Sequence, residues 1–151
     1  MRMVFSGSFD PITLGHMDII RRGAAIADEL IICIANNKSK SSRYDLEKRK
    51  LMVEKAISGL TNVRAEVFEG LLADYCRKIG ADAILRGVRN GTDFEYERNM
   101  ALINKCKLGV ETVIMVSSPE MSYISSSVVR ELKSFGGNAD GLVPEEIIEL
   151  L

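Results

Sequence analysis

The chain has 151 residues, a formal net charge of −1, 46% hydrophobic and 27% charged residues. Those proportions suit one globular domain, residues 1–151, that buries roughly two thirds of its unfolded surface. The near-neutral balance offers no field for a nucleic-acid polymer, so an anion site has to come from local clustering. No window approaches the roughly 18 apolar residues of a membrane helix, and no apolar run follows a basic amino-terminal segment, so a cytoplasmic setting is expected.

Residues 2–6 form a short apolar run ending at Gly7 and predict a buried first strand. The stretch Gly7-Ser8-Phe9-Asp10-Pro11-Ile12-Thr13-Leu14-Gly15-His16 follows and ends in the chain's single histidine. From there Met17, Ile20, Ala24 and Ala27 recur at helical spacing. A helix start carries unpaired N–H groups and a positive dipole end, so a phosphate is its natural guest. Gly7 and Gly15 let backbone and ligand approach closely. The G-x-G-x-x-G and G-x-x-x-x-G-K-[ST] patterns are both absent, which disfavours a dinucleotide-binding domain and a P-loop NTPase. A ligand-free turn with a satisfied histidine is the plainer alternative.

Residues 30–35 are a continuous apolar run, as in a parallel strand covered on both faces. A polar loop over 36–43 contains Lys40, which a solvated surface lysine explains as well as a phosphate contact does. The pattern then predicts a helix over 45–57, a strand over 63–68, a helix over 71–79 and a strand over 83–85. A helix over 94–107, capped by Asp93, a strand over 112–116 and a helix over 125–135 follow. The last of these should turn Val128, Val129, Leu132 and Phe135 inward. Gly136, Gly137 and Gly141 precede a short final helix with Pro144 in its first turn. Cys33, Cys76 and Cys106 are odd in number and far apart, and are expected to be reduced core thiols. Paired Cys/His spacing for zinc is missing.

Strands alternating with helices predict an α/β fold, a doubly wound five-stranded parallel sheet with helices on both faces. Ligands of such sheets bind beyond the carboxyl ends of the strands. Residues 8–16, Lys40, Leu71 and Leu72, residues 86–89 and residues 122–127 each follow a predicted strand, so they converge on one site.

Thr13-Leu14-Gly15-His16 behind Gly7-Ser8-Phe9-Asp10-Pro11, then Lys40, Arg86-Gly87-Val88-Arg89, Asp93-Phe94-Glu95-Tyr96-Glu97 and Ile124-Ser125-Ser126-Ser127-Val128-Val129-Arg130 occur in this order. Together they resemble the "HIGH" nucleotidyltransferase superfamily and, within it, the phosphopantetheine adenylyltransferases, over nearly the whole chain. The resemblance implies direct in-line transfer of AMP from ATP to 4′-phosphopantetheine, giving dephospho-coenzyme A and pyrophosphate. It gives His16 the role of transition-state stabiliser, with Ser8, Lys40 and Arg89 assisting. ATP would touch Ser8, Phe9, His16, Gly87, Val88, Arg89 and Glu97, and the stretch Ser122, Tyr123, Ile124, Ser125, Ser126, Ser127 and Val128. The acceptor would be held by Ser8, Lys40 and Arg86, with Leu72 along the pantetheine arm. Mg²⁺ would ride on the ATP phosphates with no protein ligand set. A homohexamer is implied, for which Tyr75, Met100, Leu102 and Ile103 offer apolar surface unless they pack in the core. The chain departs from the family pattern in Ser6 for proline, Ser8 for threonine, and Ser41 after Lys40.

A phosphate monoester, with a second pKa of about 6, attacks without a general base, so the chemistry asks mainly for a positive, preorganised site. The residues alone leave other roles open. Arg86 and Arg89 could pair with Asp93 or Glu97, the serines could cap a helix, and Glu95 and Glu97 could serve the helix dipole. A different acceptor, such as nicotinamide mononucleotide or glycerol 3-phosphate with CTP, and a non-catalytic nucleotide-binding module are the alternatives to the activity.

Overall fold

The computed structural model describes residues 1–36 and 41–151. Strands and helices alternate as β1 (Arg2–Gly7), α1 (Leu14–Ile26), β2 (Glu29–Ala35), α2 (Leu46–Ala56) and β3 (Val63–Phe68), then α3 (Leu72–Ile79), β4 (Ala83–Val88), α4 (Gly91–Ile103), β5 (Glu111–Val116) and α5 (Ser126–Ser134). All four strand pairings are parallel and the order is β3-β2-β1-β4-β5, the doubly wound sheet that the alternation predicts. The chain winds outward from the central β1 to β3, then returns to the other side of β1. Connections therefore leave β1 and β4 in opposite directions and open a crevice beyond their carboxyl ends.

Period-two alternation along buried strands builds two cores. Met3, Phe5, Ile32 and Leu85 join Met17 and Ile20 of α1 on one face, while Val4, Ile31, Cys33 and Ile84 join Ala73 and Cys76 of α3 on the other. Met17, Ile20, Ala24 and Ala27 are all buried, as their spacing predicts.

Several expectations need correction. β4 extends to Val88, so Arg86, Gly87 and Val88 are strand residues and only Arg89 follows the strand. Asn90, not Asp93, caps α4, its side chain accepting the Asp93 N–H at 2.9 Å; the apolar periodicity starts a turn later than the helix does. α4 runs on into a π-helical turn, Asn104–Leu108. On α5 only Val129 is buried, and Phe135, just past the helix end, is 85% exposed, because this nine-residue helix is held against the turn after β1 and turns one residue into the core. Cys33 and Cys76 are buried thiols, whereas Cys106, in the π-helical turn, is exposed. The terminal element Glu145–Leu150 is a 3₁₀ helix with Pro144 at its cap.

Candidate active site

The turn after β1 is built around two aromatic rings. Phe9 has φ 46°, a left-handed conformation costly for a side chain with a Cβ. Burial of its ring offsets that cost: the centroid lies 5.7 Å from Phe5 and 5.1 Å from His16, edge-on in both cases. Gly7 lies close beneath it: a Cβ there would stand 3.1 Å from the Phe9 ring, which would have to give by a few tenths of an ångström. Asp10, buried, accepts the N–H groups of Arg43 at 2.8 Å and Tyr44 at 2.9 Å, which ties this turn to the loop leading into α2. The buried guanidinium of Arg49 on α2 donates to the carbonyls of Ser8 at 2.7 Å, Ala35 at 3.1 Å and Tyr44 at 3.2 Å, joining the ends of β1 and β2.

Thr13 caps α1 in a capping box: its hydroxyl accepts the His16 N–H, and the His16 Nδ1 accepts the Thr13 N–H at 3.0 Å. An Nδ1 that accepts a backbone proton leaves the neutral ring's own proton on Nε2. Burial, then the Arg89 and Arg86 charges, hold the imidazole down to about 4. At neutral pH His16 is therefore an uncharged Nε2–H donor at the crevice.

β1 and β4 pair only at Met3, Val4 and Phe5, opposite Ala83, Ile84 and Leu85. Beyond that point the strands part and Arg86 fills the gap. Its Nη1 donates to the Ser6 carbonyl at 2.9 Å and hydroxyl at 3.2 Å, and its Nε and Nη2 grip the two oxygens of Glu97 at 2.8 and 2.6 Å. Glu97 is the buried residue of α4. This fork holds Arg86 in one pose and still leaves N–H capacity on a five-donor group. Arg89 is tied more loosely, through its Nε to Asp93 at 3.0 Å, in a pair whose side chains are 41% and 27% exposed. A phosphate can take Arg89 from Asp93 far more readily than it can take Arg86 from Glu97.

The opposite wall is the start of α5. Ser125 caps it by accepting the Val128 N–H at 3.2 Å, and the Ser126 hydroxyl donates to the Pro11 carbonyl at 2.8 Å. The first-turn N–H groups of α5 have no intrahelical partner and lie at the helix's positive end. Arg130, one turn on, donates to the Asp10 carbonyl at 2.7 Å, so this wall is bound to the first turn.

These walls enclose a cavity of about 730 Å³ at the β1/β4 crevice. Of the sequence-predicted site residues, Ser8, His16, Arg86, Gly87, Arg89 and Glu97 line it, with Ile124, Ser125 and Ser126 from the far wall. Phe9 is buried behind His16, Val88 is buried in β4, and Leu72 packs against the α3-side core. Ser122, Tyr123, Ser127 and Val128 are exposed beside the cavity. Lys40 lies outside the described residues. Sequence reasoning missed Asp93 and Tyr96 as lining residues, and Thr13, Arg49 and Arg130 as the groups that shape the site. Thr13, Asp93, Tyr96 and Arg130 stood inside the quoted motifs without a site role assigned to them, and the signal at Arg49 was a lone arginine on an otherwise apolar helix face.

The chain matches the cytidylyltransferase-like family over residues 4–132. A curated relative from Dictyoglomus thermophilum, a phosphopantetheine adenylyltransferase, is 50% identical over 153 residues, covering 100% of this chain and 93% of that protein. One from Cutibacterium acnes, of the same name, is 44% identical, covering 95% and 92%. Among solved structures, a putative nicotinate-nucleotide adenylyltransferase from Vibrio parahaemolyticus shares the fold with a TM-score of 0.69 at 18% identity, over 99% of this chain and 96% of that one.

Proposed function

The chain belongs to the cytidylyltransferase-like family and, within it, to the phosphopantetheine adenylyltransferases, and on that premise we propose how its site moves AMP from ATP to 4′-phosphopantetheine, releasing pyrophosphate and dephospho-coenzyme A. The observation that carries the reading is the convergence of an uncharged Nε2–H donor, one firmly and one lightly held arginine and a helix start on one cavity at the switch point. The acceptor phosphate is already anionic at neutral pH and needs no base. His16 donates to the α-phosphate as charge builds on its oxygens, and its fixed ring costs no reorganisation at that moment. Arg86, locked by Glu97 and Ser6, offers its remaining N–H to the acceptor phosphate, with Ser8 and Lys40 beside it. Leu72 would meet the pantetheine arm.

Arg89 exchanges Asp93 for ATP. Gly87, Val88 and Phe9 shape the nucleotide's side of the cavity. Residues 122–128 receive the β- and γ-phosphates at the α5 start. Glu97 enters through Arg86, because both of its oxygens are already taken. Mg²⁺ would arrive on the ATP phosphates and neutralise their charge, because it prefers substrate oxygens and water to an all-protein cage.

The proposal extends to assembly and setting. Phe94, Met100, Leu102 and Ile103 are exposed along α4 and would bury themselves between copies, with a homohexamer as the assembled state. Tyr75, whose hydroxyl donates to Glu66, packs partly against the α3-side core and is not part of that surface. The exposed free thiol of Cys106 suits a reducing cytoplasm. Among the described residues no helix is long and apolar enough to cross a membrane.

Incubation with ATP, Mg²⁺ and 4′-phosphopantetheine, reading pyrophosphate and dephospho-coenzyme A together, tests the reaction. Nicotinamide mononucleotide, and glycerol 3-phosphate with CTP, serve as parallel acceptors. Turnover with phosphopantetheine alone is expected; turnover only with another acceptor would overturn the substrate assignment, and ATP binding without any turnover would favour a binding module.

A further inference from the structure

We propose that Asp18 is a positioning residue for the nucleotide site: its carboxylate, two residues beyond His16 on α1, tethers Ser118 and so sets the separation between His16 and the α5 start. This rests on the reading above that residues 122–128 receive the ATP phosphates.

Both oxygens of Asp18 are committed to one residue across the sequence. Oδ2 accepts the Ser118 N–H at 2.9 Å and Oδ1 accepts its hydroxyl at 2.8 Å. Arg22, one helical turn on, pairs with Oδ2 at 3.1 Å and also donates to the Val116 carbonyl at 2.8 Å. The adjacent Ser117 donates its N–H to the Val88 carbonyl at 2.8 Å and itself lines the cavity. Residues 116–118, where the edge strand ends, are thus pinned to α1 and to β4.

From Ser118 the chain turns through the 3₁₀ helix Pro119–Met121 and reaches the Ser125 cap within seven residues. Internal bonds keep that span stiff. Met121 donates to the Ser118 carbonyl at 2.9 Å, the Ser122 hydroxyl to the Pro119 carbonyl at 2.9 Å, and Ile124 to the Met121 carbonyl at 3.1 Å. Its far end rests on the first turn of α1, where the Cβ position of Gly15 lies 3.4 Å from the Ile124 carbonyl oxygen and 3.6 Å from that of Met121. The segment is held at two points, Gly15 and Asp18, that flank His16. The helix that carries the transition-state donor therefore also fixes the wall it works against.

Asp18 does not line the cavity and acts through Ser118. Burial would raise its carboxyl, but the two Ser118 donors and Arg22 outweigh that and hold it below the ordinary range. The tether is a charged one, and charge-assisted hydrogen bonds are the strong kind.

The test compares Asp18→Asn, Ser118→Ala, the double variant and Ser118→Thr with the unaltered protein. Readouts are ATP affinity by calorimetry, KM for each substrate, and the thermal midpoint. Asp18→Asn should weaken ATP binding and raise its KM about tenfold, as expected for losing a charged hydrogen bond. KM for 4′-phosphopantetheine should stay within about twofold, the double variant should be no worse than Asp18→Asn alone because the partners are shared, and Ser118→Thr, which keeps both donors, should match the unaltered protein. A lowered thermal midpoint with ATP affinity unchanged, an equal rise in both KM values, or additive effects in the double variant would each overturn the tether. If the unaltered protein binds ATP but transfers nothing to phosphopantetheine, the reaction assignment fails while the affinity series still decides the role of Asp18; if it binds no ATP, both fail.

Discussion

His16 Nδ1 accepts the backbone N–H of Thr13 at 3.0 Å, so the residue that caps the helix also decides which nitrogen of the imidazole carries the proton. The bond comes from the main chain, and no side-chain substitution at position 13 other than proline removes it. Replacing His16 by alanine should leave the fold intact, because the ring is an edge partner of Phe9 and not a core side chain. Turnover should fall by about 10²- to 10³-fold, the usual loss for one preorganised donor. Single-turnover rates under saturating substrates check this, and a near-normal rate would remove His16 from the mechanism.

The depressed His16 value makes a prediction about pH. In the unfolded chain the ring titrates near its ordinary value of 6.5, in the fold near 4. Between those values the unfolded state binds more protons, so this stabilising contribution is complete above about pH 6.5 and is lost as pH falls towards 4. Urea midpoints of the unaltered protein should fall across that window more steeply than those of His16→Ala. Activity should lose its acid limb with the acceptor phosphate, whose second pKa is about 6, and a limb set by His16 should not be seen above pH 5.

Glu97 and Arg86 form a two-point fork of 2.8 and 2.6 Å in a half-buried setting. Glu97→Gln keeps the shape but removes the charge and turns an acceptor into a donor facing another donor. KM for 4′-phosphopantetheine should rise about tenfold or more, with a smaller effect on ATP. Steady-state kinetics with each substrate varied in turn measures the split; a selective rise for ATP would mean that Glu97 serves the nucleotide directly.

Asp10 is buried and satisfies two backbone N–H groups across a separation of more than thirty residues. Asp10→Ala strands both donors and should cost about 2–3 kcal/mol. Urea unfolding at unchanged slope reads the loss. Asp10→Asn, which retains one acceptor, should lose less.

The order of strands and helices, the parallel sheet and the glycine-flanked turn into α1 were legible in the sequence because they depend on local pattern. Continuous apolar runs mark strands buried on both faces, helical spacing marks α1 and α2, and the Gly7 to His16 stretch carries its own turn and cap chemistry. Element ends were less legible where no apolar residue marks them, as with α4, which starts at Gly91 under an Asn90 cap.

The sequence by itself determined the fold class, the family and several of the residues that line the β1/β4 cavity, since these follow from residue types in a fixed order. Tertiary structure alone decided how those groups are used. Arg86 is locked by Glu97 and Ser6 while Arg89 is only lightly held by Asp93, and Asp18 reaches Ser118 a hundred residues away. These are pairings between elements distant in sequence. Their geometry is set by where β1 and β4 part and by how α1 packs under the segment after β5, and neither is encoded in any local spacing.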